Sequence, residues 1–68
     1  MSHTYRVCFS NRRLDTTALH NGGDAFNPNP AVNVEYVGAS SSEEACNIVR
    51  RDFPNVRSAV AFQCYNPI

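Results

Sequence analysis

Three cysteines and two histidines are the side chains in this 68-residue chain best suited to chemistry. A thiolate at Cys8, with His3 or His20 as its base, would make a nucleophile if the thiol were acidified and a third group oriented the base. No signature of a cysteine enzyme surrounds Cys8, and a free cysteine in a strand pattern reads first as a small packing residue. Cys46 and Cys64 read the same way. These thiols and imidazoles also fail as a zinc site, because structural zinc needs closely paired ligands and these stand far apart in the chain. An odd number of widely spaced cysteines is no disulfide framework either. Asp15, Asp24 and Glu35 have no partner at a spacing that would pair them for acid–base work, and loop aspartates ordinarily serve turns. Asn21-Gly22-Gly23-Asp24 has the composition of a phosphate-cradling loop, but it does not lead from a strand into a helix as such loops do. The expectation is a protein that is not an enzyme and uses neither metal nor cofactor.

Charge narrows the partner classes. All six basic residues are arginine, six acids balance them, and the formal net charge is zero. Proteins that hold nucleic acid by its phosphates carry a clustered basic excess. Here Arg12-Arg13 and Arg50-Arg51 are the only adjacent pairs, with Asp15 and Asp52 close by. Arginine is still the better residue for bidentate contact with carboxylate or phosphate. The N-terminus has no apolar leader core, and no run approaches the roughly eighteen apolar residues of a membrane span. The expectation is a cytoplasmic protein with reduced thiols and no membrane contact.

The elements that must position these residues follow from periodicity. Thr4–Ser10 alternates, with Tyr5, Val7 and Phe9 on one face and Arg6, Cys8 and Ser10 on the other, which predicts a half-buried strand. Residues 11–30 read as a long loop, dense in turn chemistry at Asn21–Asp24 and stripped of donors at Asn27-Pro28-Asn29-Pro30. Within it, Leu14–Leu19 can form a helical turn capped by Asp15 or Thr16. A loop this long in a compact domain is ordinarily functional or disordered. Ala31–Ala39 is a second strand; its change of parity after Tyr36 means either burial on both sides near its end or a bulge at Tyr36–Gly38, and the bulge is preferred because Gly38 suits such a kink. A helix starts at Ser41, with Glu44 completing a capping box. Acids occupy its first turn and Arg50-Arg51 its last. Ala45, Ile48, Val49 and Phe53 form its apolar stripe, and Pro54 stops it. Val56–Tyr65 is the last strand, expected to turn Val60, Phe62 and Cys64 to one face and Ala59, Ala61, Gln63 and Tyr65 to the other.

The result is a single α+β domain over residues 1–68 with the order β-β-α-β. A helical crossover makes the second and third strands parallel. The first strand fills the gap antiparallel to both, giving a three-stranded mixed sheet of order 2-1-3 with one helix on one face. The other face is expected to be open and to show Arg6, Cys8, Ser10, Ala59, Ala61, Gln63 and Tyr65. Arg6 and Tyr65 there would offer a platform for stacking bases. A flat face of small residues is also a surface for another protein or a second copy, and self-association would help a chain this short.

At Val37-Gly38-Ala39-Ser40-Ser41-Ser42-Glu43-Glu44-Ala45, followed by Ile48-Val49 and a closing strand, the chain resembles the small strand–strand–helix–strand proteins of phages and mobile elements. Several anti-CRISPR and related anti-defence inhibitors have this size and layout. The resemblance covers residues 4–10 and 32–65 as a pattern. It implies a non-enzymatic inhibitor in the bacterial cytoplasm that occupies a surface of a multi-subunit host defence complex such as a CRISPR effector. The candidate contacts are Arg6, Arg12, Arg13, Asp15, Asp24, Phe26 and Tyr65, with arginine and aromatics the types enriched at binding hot spots. The alternative is a small nucleic-acid-binding accessory protein using the open sheet face and the loop arginines.

Overall fold

The structure, a computed structural model, describes residues 2–24, 26 and 28–64. The chain forms β1 (His3–Ser10), α1 (Thr16–Gly22), β2 (Asn33–Ala39), α2 (Ser42–Asp52) and β3 (Ser58–Gln63). β1 lies in the middle of a three-stranded sheet of order β2-β1-β3 and is antiparallel to both neighbours, so β2 and β3 run parallel. This is the α+β arrangement expected from the periodicity. β1 takes the centre because it can be buried on both faces: Tyr5, Val7 and Phe9 on one face and Cys8 and Ser10 on the other are all buried, which suits an inner strand.

One face of the sheet packs on α2. Tyr5, Val7, Phe9 and Ala39 meet Ala45 and Val49 in the core, with Val37, Ile48, Ala59 and Ala61 at its margin. Each large apolar side chain buried there contributes on the order of 1.5–3 kcal/mol. α2 begins as its sequence dictates. Ser41 Oγ accepts a hydrogen bond from the Glu44 amide at 3.1 Å, which satisfies one of the orphan donors of the first turn. The Glu44 carboxylate instead accepts a hydrogen bond from the Ser40 hydroxyl at 2.6 Å. Only the first half of the capping box is therefore built in its usual form. Pro54 follows the C-cap residue Phe53, whose amide still donates to the Val49 carbonyl.

Two expectations about the sheet are corrected. The β1–β2 register runs unbroken from His3↔Ala39 to Phe9↔Asn33, so there is no bulge at Gly38. The parity change instead reflects a strand that uses both faces: Val37 and Ala39 turn to α2 while Val34 and Tyr36 turn the other way. In β3 the faces are reversed from the expected ones. Ala59, Ala61 and Gln63 stand opposite Phe9, Val7 and Tyr5, on the α2 side, and Val60 and Phe62 stand opposite Cys8 and Arg6. Small residues belong under α2 because they let the helix sit close to the sheet. Glu35 stands opposite Val7 and is exposed, and the cross-strand neighbour of Arg6 is Tyr36.

The second face is not open. The middle of segment 11–30 folds into α1, which Asp15 caps through its carboxylate to the Ala18 amide at 2.7 Å. α1 rests on β1 and β3, burying Leu19, and His20 sets its ring edge-on to Phe62 at 4.7 Å. Its exit needs glycine. A Cβ on Gly23 would stand 2.8 Å from Cys8 Sγ and 3.1 Å from Arg6 Nη2, and one on Gly22 would stand 2.6 Å from Val32 Cγ2.

Candidate functional site

Arg6 is half-buried, and its Nη2 is sealed under Gly23 with no hydrogen-bond partner among the described residues. The guanidinium therefore packs below the end of α1 instead of standing on a flat platform. Tyr65, the other member of the expected base-stacking face, lies outside the described residues. Cys8 is fully buried beneath the same glycine. His3 is at the far end of β1, and His20 is held against Phe62, so neither imidazole is placed to serve Cys8. Among the described residues no three of His, Cys, Asp and Glu come together as a metal cluster would require. Burial raises the Cys46 thiol above its ordinary pKa, opposed in part by the nearby charge of Arg50. It therefore stays protonated, and a poor nucleophile, at neutral pH.

What the fold does assemble is charge. At the end of the sheet where β1 stops and β3 starts, two hydroxyls tie segment 11–14 down. Ser10 Oγ accepts from the Arg12 amide at 3.1 Å. Ser58 Oγ accepts from the Leu14 amide at 3.3 Å and donates to the Arg12 carbonyl. The Arg57 amide donates to the Ser10 carbonyl at 2.8 Å. Arg12, Arg13 and Arg57 are thus fixed at one end, with their side chains exposed. α2 returns to the same end, bringing Arg50 and Arg51 in its last turn, because Phe53 stacks on Phe9 with ring centroids 5.1 Å apart. Five of the six arginines therefore share this end with only Asp15 and Asp52 as acids. Asp15 is occupied as the cap of α1. The single ion pair among the described residues joins Arg51 to Asp52 at 3.5 Å, with both side chains largely exposed, and such a pair is worth little.

The opposite end, where β2 passes into α2, carries Glu43 and Glu44 and no arginine. A formal net charge of zero thus hides a strong separation along the strand direction. Sequence reasoning missed it because adjacency in the chain says nothing about which chain ends meet. The signal that could have found it was topological: in a 2-1-3 sheet the end of the first strand, the start of the third and the end of the crossover helix coincide.

Beside the arginines lies a cleft of about 330 Å³, bounded by Phe9, Phe53, Pro54 and Val56 on one side and by Pro30 and Ala31 on the other. Phe53 is 41% exposed on its rim. Phe26 is 90% exposed and Asp24 accepts a hydrogen bond from its amide at 3.0 Å, so these two expected contact residues share one exposed turn. The fold and its surface define a small α+β domain with a polarised charge distribution. Comparison with protein-family models, with curated proteins and with solved structures gave no match.

Proposed function

We propose that this chain is a non-enzymatic protein-binding module whose contact surface is the arginine end and the cleft beside Phe53. The observation that carries the reading is the gathering of Arg12, Arg13, Arg50 and Arg57 at one end, none with a carboxylate partner among the described residues, next to a half-exposed phenylalanine. Arginine forks with an adjoining aromatic slot are hot-spot chemistry. They fit an acidic protein surface that also offers an apolar side chain. In the setting implied by the chain's resemblance to phage inhibitors, that surface belongs to a host defence complex such as a CRISPR effector, and binding blocks it.

Phosphate recognition is the weaker reading of the same arginines. Asp52 lines the cleft, Glu43 and Glu44 would repel a polyanion running along the molecule, and the expected stacking face is closed by α1. The test is binding of the purified chain to purified effector complexes, with a phage interference assay in parallel. Binding at micromolar concentration or below is expected, and Arg12→Glu/Arg13→Glu should weaken it on the order of ten-fold or more. No binding by the unmodified chain would remove the host-defence target. Retention of single-stranded nucleic acid that weakens steeply with salt would favour the phosphate reading.

A further inference from the structure

We propose that two copies of this chain join through the outer edges of β3, antiparallel about a two-fold axis at Ala61, to make one continuous six-stranded sheet. The proposal does not depend on the function inferred above. It begins with the edge itself. The amide of Cys64 donates to the Thr4 carbonyl at 2.8 Å, and Cys64 is next in register after Tyr5↔Gln63. Backbone groups alternate in direction along a strand. Val60 and Phe62 therefore point their N–H and C=O groups at β1, and Ala59, Ala61 and Gln63 point theirs outward.

Nothing among the described residues caps those outward groups, and the strand Ser-Ala-Val-Ala-Phe-Gln has no charge, proline, glycine or bulge to discourage pairing. Natural sheets ordinarily protect a free edge with such devices. β2, the other edge, carries Glu35 at its centre and Gly38 near its end. Among the described residues, only the β3 edge is undefended.

The edge is also complementary to itself. With Ala61 on the axis, Ala61 pairs with Ala61 of the second copy, and Ala59 pairs with Gln63 of the second copy, in hydrogen-bonded register. Val60 then faces Phe62 of the second copy at the close, non-hydrogen-bonded spacing, on the α1 side. A β-branched residue against an aromatic is a favourable cross-strand pair. A shallow dent of about 270 Å³ between α1 and Phe62 leaves room beside that ring. On the other side the neighbours are the small Ala59 and Ala61, under α2, which rests on all three strands.

The charge distribution independently selects the antiparallel orientation. A two-fold axis across the strands sets the arginine end of one copy beside the Glu43-Glu44 end of the other. Pairing with parallel strands would bring like ends together. Two observations, an unprotected neutral edge and a charge separation running along it, thus point to the same occupant.

Sedimentation and backbone hydrogen exchange on the intact chain test this. The expected species has twice the 7.6 kDa chain mass, and it dissociates more readily at high salt because complementary charges are screened. In it the amides of Ala59, Ala61 and Gln63 exchange slowly, like those of Val60 and Phe62. Val60→Lys, which places charges close to the axis, and Ala61→Pro, which deletes a central outward donor, should each give a folded monomer by circular dichroism. In that monomer the outward amides exchange freely. A monomer at hundreds of micromolar in low salt would overturn the proposal. So would a dimer in which Ala59, Ala61 and Gln63 remain unprotected, or one that survives Val60→Lys intact.

Discussion

Gly23 shows how one residue decides what a sheet face can do. Its missing side chain lets the end of α1 close over Cys8 and Arg6, converting an expected binding platform into a covered face. In Gly23→Ala the new methyl would collide with the Cys8 sulfur at 2.8 Å, and a buried sulfur in a strand cannot swing aside. A loss of about 1–3 kcal/mol in denaturant unfolding is expected, with greater exposure of Cys8 to thiol reagents. An unchanged midpoint would mean that α1 is not docked as described. Cys46 makes a second prediction, in pH. Its pKa is raised by burial in the fold, so the folded state holds its proton more tightly than the unfolded chain does. The stability linked to this thiol is fully present below the ordinary thiol pKa and is lost as pH rises through the folded value. Between pH 7.5 and pH 10 the native chain should therefore lose more stability than Cys46→Ala, measured by denaturant midpoints. Equal losses would show that the thiol is not desolvated.

At the scale of elements, the two helices differ in what holds them. α2 has a cap, complementary charges at both ends and an apolar stripe, so its position was readable before any tertiary contact. α1 has seven residues, too few to be stable alone, and depends on Asp15 and on docking of Leu19. Ser41→Ala and Asp15→Ala each remove one capping bond and should each cost about 1 kcal/mol. The two losses should differ in kind. Ser41→Ala lowers the midpoint of the whole domain, whereas Asp15→Ala also loosens α1 locally, seen as faster amide exchange at Leu19 and His20. Equal exchange in both variants would contradict the separate anchoring of α1. The strands teach a related lesson. Alternation in β1 was legible because one parity is wholly apolar. In β3 both parities are apolar or small, so the pattern did not say which face meets α2, and the expectation chose the larger side chains. Close helix approach over Ala59 and Ala61 decided otherwise.

At the scale of the whole molecule, the controlling property is the separation of charge along the strands. It supplies an arginine end for an acidic partner and, across a two-fold axis, a complementary neighbour for a second copy. If the β3 edges pair as proposed, the thermal midpoint should rise with protein concentration, because mass action stabilises the associated state. A core this small gives only a few kcal/mol to a lone chain, so edge pairing would form a substantial part of its stability.

The residues alone specified the three strands, the capped helix α2 and the 2-1-3 order, and allowed a helical turn within Leu14–Leu19 capped by Asp15 or Thr16, because these depend on local periodicity, on capping chemistry and on the rules of chain connection. They did not specify the β3 face, the closure of the second face or the location of five arginines at one end. Each of those depends on contacts between segments far apart in the chain: a register shared with β1, a glycine seated on a cysteine fifteen positions away, and three chain ends brought together by topology.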